Sequence, residues 1–68
     1  MDERTIKLIS DKIRIKRTEM GYSQEYMANH LKISQNVYSL NERNIGSVPF
    51  SRVMQIFKLL EIKDSVEI

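Results

Sequence analysis

The chain has 68 residues with no cysteine and one histidine, and eleven basic against nine acidic side chains give a formal net charge of +2. Without cysteine there is neither a disulfide framework nor a thiolate metal site, and nothing places a nucleophile beside a base, so we expect no metal, no cofactor and no enzyme. No apolar run approaches the roughly 20 residues that span a bilayer and no signal-peptide pattern opens the chain, so we expect a cytoplasmic protein without a membrane partner.

The first predicted helix covers about residues 3–20. Its inward face is marked by apolar side chains three, four and seven positions apart, namely Ile6, Ile9, Ile13 and Met20. Gly21 follows at the position where a helix end needs a left-handed residue, which glycine adopts at little cost. The same helix carries Lys12, Arg14, Lys16 and Arg17 without an intervening acid. This run fits either a solvated face with one ion pair or a basic patch.

Two short helices follow, each opened by a serine that can cap the free N–H groups of the first turn. Ser23 precedes a predicted helix over 24–31, and Ser34 precedes one over 35–43. We expect Met27, Ala28 and Leu31 to be buried in the first of these helices, and Val37 and Tyr38 in the second. Because almost nothing separates the two helices, the chain must turn sharply between them, as in a helix-turn-helix.

Hydrophobic staples support both helix starts. Tyr22 is five positions before Met27, and Ile33 is five positions before Tyr38. At this spacing the residue before the cap packs against a residue within the helix. That contact fixes the direction in which the chain enters the helix.

The last predicted helix begins after Pro49, because proline is tolerated in a first helical turn and not inside one. Its apolar stripe consists of Phe50, Val53, Ile56, Phe57 and Leu60. Before it, Asn44 is a candidate left-handed stop for the preceding helix, and Gly46 lies in a loop. The segment 61–68 is compatible with a short helix, a strand or an arm, and its apolar residues Ile62, Val66 and Ile68 are candidates for a dimer contact.

The residues that open the helix over 35–43 carry the clearest functional signal. Gln35, Asn36 and Ser39 are uncharged polar residues, and no charge follows until Glu42. Amides and hydroxyls at the start of a helix suit hydrogen bonding to base edges in the major groove of DNA. The nearly balanced net charge permits nucleic-acid binding but does not indicate it.

At this point the chain resembles the phage-repressor and Cro-like helix-turn-helix domains, the Xre family, over roughly residues 13–62. The residues that carry the resemblance are Arg17, Gly21, Ser23, Gln24, Glu25, Ala28, Leu31, Ile33, Ser34, Gln35, Asn36, Tyr38, Ser39 and Glu42. It implies an all-α domain of four or five helices with a central helix-turn-helix, over residues 1–68 with a core of about 3–62. Family members usually bind operator DNA as homodimers and are not enzymes.

The resemblance also implies a role for individual positions. Ala28 matches the small residue at which the second and third helices cross, and Arg17 with Glu42 matches a structural ion pair. The positions expected to contact DNA bases are Gln35, Asn36, Ser39 and Leu40. The positions expected to contact phosphate are Gln24, Lys32, Ser34, Asn44 and Ser47, with the backbone N–H groups of the loop 44–47 approaching the phosphate.

The chain departs from the family pattern in two places. Lys32 stands in the turn where the family prefers glycine, so it must adopt a left-handed conformation or relax the turn. The order of Leu40 and Asn41 is reversed, which directs Leu40 outward, where it could touch a thymine methyl group. Asn41 is then directed inward, so either it bonds to a backbone group or the helix end is rotated.

The function expected from these observations is a sequence-specific, double-stranded DNA-binding transcriptional regulator that acts by occupying an operator. The alternative is a protein-interaction module, for example an antitoxin-like binding partner, that keeps the fold without specific DNA binding. Salt dependence discriminates between them, since binding to phosphates releases counterions and weakens steeply with salt.

Overall fold

A computed structural model describes residues 2–62 of the chain. It contains the helices α1 (Glu3–Glu19), α2 (Gln24–Leu31), α3 (Gln35–Arg43) and α4 (Phe50–Leu59), with a 3-10 turn at Ile45–Ser47. The predicted all-α architecture is confirmed, and four helices are compatible with a small repressor-like domain. The predicted bounds of α2 and α3 are confirmed, and α1 ends one residue earlier than predicted. Val66 and Ile68, the candidates for a dimer contact, lie outside the described residues.

Both predicted serine caps are formed, and so is the left-handed glycine after α1. The backbone N–H of Tyr26 donates to Ser23 Oγ at 2.9 Å, and that of Val37 donates to Ser34 Oγ at 3.1 Å. Gly21 has a φ of +76°, the left-handed conformation expected after α1. Each serine side chain lies three residues before the N–H group that it caps, so the sequence alone predicts both hydrogen bonds.

The core is built from every helix and from the 3-10 segment. Its buried apolar members are Ile13, Met27, Ala28, Tyr38, Ile45, Val48, Ile56 and Leu60. The most extensive contact between helices joins α2 to α3, where Ala28 is buried. Leu31 and Ile62 are half-buried against this core, so Ile62 has partners within the single chain.

Two apolar residues are more exposed than predicted. Val37 is exposed because Tyr38 and Glu42, four positions apart, occupy the inner face of α3. Phe50 is 77% exposed at the first position of α4, whereas Ile56 and Leu60 further along that helix are buried. The predictions that placed Val37 inward and Phe50 in the packed stripe were therefore wrong.

The segment between α3 and α4 also differs from the prediction. Asn44 has φ −140° and ψ 83°, so it is not a left-handed stop. Its side-chain oxygen instead accepts a hydrogen bond from Gly46 N at 3.1 Å, while the N–H of Ile45 donates to Ser10 Oγ at 3.1 Å. The latter bond spans 35 positions and fastens this segment to α1.

The turn between α2 and α3 is tight, and Lys32 is left-handed with φ 59° and ψ 43°. The backbone N–H of Ile33 donates to Ala28 O at 3.0 Å and closes the end of α2. Lys32 therefore adopts the left-handed conformation, and the turn is not relaxed.

Replacing Lys32 with glycine is expected to stabilise the fold by about 0.5–1 kcal/mol. Left-handed geometry costs a residue with a Cβ atom roughly 1–2 kcal/mol, and the greater freedom of glycine in the unfolded chain offsets only part of that gain. Thermal unfolding should show a Tm higher by roughly 2–8 °C. Lys12→Gly, in the middle of α1, is the matched control and should destabilise by about 1 kcal/mol. A Tm that falls in both variants would contradict this assignment of strain.

Candidate nucleic-acid interface

A buried ion pair holds the far end of α3 against α1. Arg17 Nε donates to Glu42 Oε2 at 2.7 Å and Arg17 Nη2 donates to Glu42 Oε1 at 3.2 Å, so the pair is bidentate. The remaining terminal nitrogen, Nη1, donates to the backbone oxygen of Tyr22 at 2.9 Å. The Glu42 side chain is only 5% exposed. This is the pair that the family resemblance implied, and it joins residues 25 positions apart.

Two further donors complete the shell around the Glu42 carboxylate. Tyr38 Oη donates to Glu42 Oε2 at 2.8 Å, and Gln24 Nε2 donates to Glu42 Oε1 at 3.1 Å. Sequence reasoning missed both, since Tyr38 was predicted only as an apolar core residue and Gln24 only as a phosphate contact. The i to i+4 spacing of Tyr38 and Glu42 on one helix was the available signal for the first bond. We call Arg17, Gln24, Tyr38 and Glu42 the Glu42 cluster.

The hydrogen bonds of the Glu42 cluster stabilise the charged forms of Arg17 and Glu42. Burial alone would raise the pKa of Glu42, but the hydrogen bonds from Arg17, Tyr38 and Gln24 outweigh it and hold that pKa below its ordinary value. Burial and the hydrogen bond to Glu42 raise the pKa of Tyr38, so its hydroxyl stays a donor. The hydrogen bond to Glu42 likewise raises the pKa of Arg17. At neutral pH Arg17 and Glu42 are therefore charged, the Tyr38 hydroxyl is neutral, and both carboxylate oxygens of Glu42 accept hydrogen bonds.

Stability should fall in acid because of this cluster. A carboxyl group whose pKa is lower in the folded than in the unfolded chain stabilises the fold above its ordinary pKa, here 4.5, and loses that contribution as pH falls through the folded value. Urea unfolding at pH 7, 5 and 3 should show that the difference in stability between the parent chain and Glu42→Gln narrows below about pH 4.5. A constant difference across this range would show that Glu42 does not titrate as described.

The predicted base-reading residues lie along α3 outside its buried positions Tyr38 and Glu42. Gln35 and Asn36 are exposed in the first turn, and Leu40 is 52% exposed one turn later. Ser39 is half-buried, and its Oγ accepts a hydrogen bond from Arg43 Nη2 at 3.3 Å. The structure thus brings these four predicted positions onto the accessible part of one helix.

The reversed pair at positions 40 and 41 has a simple structural explanation. Asn41 is half-buried and its Oδ1 accepts a hydrogen bond from Arg52 Nη1 of α4 at 3.2 Å. Neither expected solution, a backbone partner or a rotated helix end, is what the structure shows. A side chain from another helix provides the partner, so α3 keeps its register and Leu40 stays outward.

The positions predicted to contact phosphate are spread over three segments around α3. Lys32 and Ser34 are exposed in the turn before it, and Asn44 and Ser47 are exposed in the segment after it. Gln24, at the start of α2, is half-buried and commits one amide N–H to Glu42. Its second amide N–H has no intramolecular hydrogen bond in the described part of the chain.

The backbone N–H groups of the loop after α3 are already bonded within the molecule. Ile45 N–H donates to Ser10 and Gly46 N–H donates to the Asn44 side chain. Ser47 N–H donates to Asn44 O at 3.1 Å, and Val48 N–H donates to Ile45 O at 3.2 Å. A phosphate that approached this loop would therefore meet the exposed side chains of Asn44 and Ser47 rather than free backbone N–H groups.

Comparisons of this chain with known protein families, with curated proteins and with solved structures found no match. Within residues 2–62, no helix has the length and apolar character needed to cross a membrane.

Proposed function

We propose that this protein is a sequence-specific, double-stranded DNA-binding regulator of the Xre type. In this proposal α2, the turn at Lys32 and α3 form a helix-turn-helix, and α3 enters the major groove. The observation that carries the proposal is the exposed, uncharged first turn of α3, in which Gln35 and Asn36 face solvent while Tyr38 and Glu42 further along the helix are buried. Surface helices ordinarily carry charged residues on their solvent face, and base edges select for amides.

Each proposed contact has a chemical reason. An amide of Gln35 or Asn36 can pair with adenine through two hydrogen bonds, and the apolar side chain of Leu40 fits against the methyl group of thymine. Ser39 contributes a hydroxyl that either donates or accepts. Contacts to the phosphate backbone fix the register of the helix in the groove without reading sequence. The proposed phosphate contacts are Gln24, Lys32, Ser34, Asn44 and Ser47.

A single module of this size offers few base contacts, so the proposed functional unit is a homodimer. Its two copies of α3 would lie in successive major grooves on one face of the duplex, about 34 Å apart. The regulator would act in the cytoplasm by occupying an operator.

Exposed apolar side chains favour a second candidate function, a protein-interaction module of the antitoxin type. Leu8 on α1 is 64% exposed and Phe50 on α4 is 77% exposed, and both lie apart from the proposed reading residues on α3. Contiguous exposed apolar surfaces mark places where proteins bind one another, and Leu8 lines such a surface of α1 together with the exposed Ile15. This candidate needs no base reading by Gln35 or Asn36.

The salt dependence of duplex binding tests the proposal against this second candidate. Fluorescence anisotropy with a labelled random-sequence duplex, measured from about 50 to 200 mM salt, should show binding that weakens steeply, because counterions leave each neutralised phosphate. A chain that remains folded by circular dichroism and shows no duplex binding at the lowest salt would favour the interaction module. Duplex binding by the folded chain that did not weaken with salt would also favour the interaction module.

A further inference from the structure

We propose that the groove between α1 and α3 is a second phosphate site, in which Arg14 and Arg43 hold a DNA phosphodiester. This inference rests on the proposed DNA-binding function and extends the DNA footprint to α1. Arg43 was not among the DNA contacts expected from the sequence, and Arg14 was there one of four members of the alternative basic patch on α1.

The groove is an open cavity of about 710 Å³, lined along α1 from Glu3 to Arg14 and by the end of α3. Its polar lining includes Lys7, Asp11, Arg14, Gln24, Ser39 and Arg43. Gln24 and Ser39 are already proposed as DNA contacts, so the groove is continuous with the proposed interface. A duplex that contacts those two residues therefore lies at a groove that both arginines also line.

The structure separates the four basic residues in the run 12–17 of α1, which the sequence alone could not do. Arg17 is used in the Glu42 cluster. Lys12 and Lys16 line a different surface of α1, together with Leu8 and Ile15. Of these four, Arg14 alone lines the groove shared with α3, where Lys7 lies as well. The run of basic residues therefore consists of one structural arginine, two lysines on a separate face and one arginine beside the proposed interface.

The acidic groups of the groove are largely neutralised by their neighbours. Asp11 lies 3.4 Å from Lys7 Nζ and 3.6 Å from Arg14 Nη2, and Glu42 is bonded to Arg17. Glu3, near the start of α1, is the remaining carboxylate in the lining. Arg43 makes its only side-chain bond within residues 2–62 to the neutral Ser39 Oγ, so its positive charge is uncompensated there. A guanidinium with several N–H donors still available is well suited to bind phosphate oxygens.

The experiment compares two double variants that remove the same charge from different surfaces. Arg14→Ala/Arg43→Ala removes the groove arginines, and Lys12→Ala/Lys16→Ala removes two lysines from the other side of α1. Binding to a random-sequence duplex is measured by anisotropy across a range of salt concentrations, after circular dichroism has shown that both variants are folded. The groove variant should bind about tenfold more weakly at 0.1 M salt, as expected for losing charge-assisted hydrogen bonds. The slope of its binding constant against salt should fall by about one unit, while the lysine variant should keep the parent slope.

Equal slopes for both variants would overturn the phosphate site, while duplex binding by the parent chain would leave the proposed function standing. If the parent chain binds no duplex, the proposed function fails and this inference fails with it. An added arm titrates inorganic phosphate at constant ionic strength and follows the arginine side-chain NMR signals. Saturable binding of inorganic phosphate, combined with unchanged duplex binding by the groove variant, would assign the groove to a small phosphate ligand and overturn the DNA assignment.

Discussion

Glu42→Ala is expected to destabilise the fold by about 3–5 kcal/mol, because it leaves the Arg17 guanidinium without its carboxylate in a largely buried position. A chain of this length has a total stability of roughly 3–10 kcal/mol. The variant should therefore be substantially unfolded at 37 °C, with a low-temperature urea midpoint far below that of the parent chain. Tyr38 and Gln24 would lose their acceptor at the same time.

A double-mutant cycle separates the pair from its surroundings. Arg17→Ala/Glu42→Ala should cost less than the sum of the two single substitutions, since the double variant leaves neither charge uncompensated. The exposed pair formed by Lys7 and Asp11, at 3.4 Å, is the matched control. Its removal should change stability by less than about 1 kcal/mol, as is usual for surface ion pairs. Additive effects of Arg17 and Glu42 would show that the cluster does not act as one unit.

Replacing Gln35 and Asn36 together with alanine is expected to remove about 2–6 kcal/mol of preference for the best binding site over other sequences. Each amide is expected to discriminate by about 1–3 kcal/mol against a wrong base pair. Successive residues point in directions about 100° apart around a helix, so the two side chains reach different base pairs and their effects should nearly add. Competition binding with specific and non-specific duplexes measures this preference directly.

Two controls make this result interpretable. Gln55→Ala removes an exposed amide from α4 and should leave the preference unchanged. Lys32→Ala should weaken binding to all sequences alike and lower the salt slope by about one unit, as expected for a phosphate contact. If the alanine pair at positions 35 and 36 weakened all sequences equally, these residues would be backbone contacts and α3 would not read bases.

The elements that the sequence predicted well are those determined by near neighbours. Ser23 and Ser34 bond to N–H groups three positions away, and these caps set the starts of α2 and α3. Gly21 meets a purely local need for a left-handed residue. Such signals act within a few residues, so they can be read without knowing what packs against them.

The features that the sequence did not predict depend on distant contacts. Ile45 and Val48 are buried although no periodic apolar pattern includes them. Their segment is held in place by the hydrogen bond from Ile45 N–H to Ser10. The partner of Asn41 is Arg52, on a helix that no local pattern connects to α3. Gln24 was assigned a contact with DNA, and its bond to Glu42 spans 18 positions. Arg14 could be told apart from its basic neighbours only after α3 was placed beside α1.

Selection from a pool of random duplexes, with the parent chain at moderate salt, tests whether α3 reads DNA sequence. We expect one motif to be enriched, with two half-sites about 34 Å apart, and we expect Gln35→Ala and Asn36→Ala each to relax a defined position within it. Enrichment of no motif by a protein shown to be folded would contradict the operator-binding function. The interaction module would then be the better description of this fold.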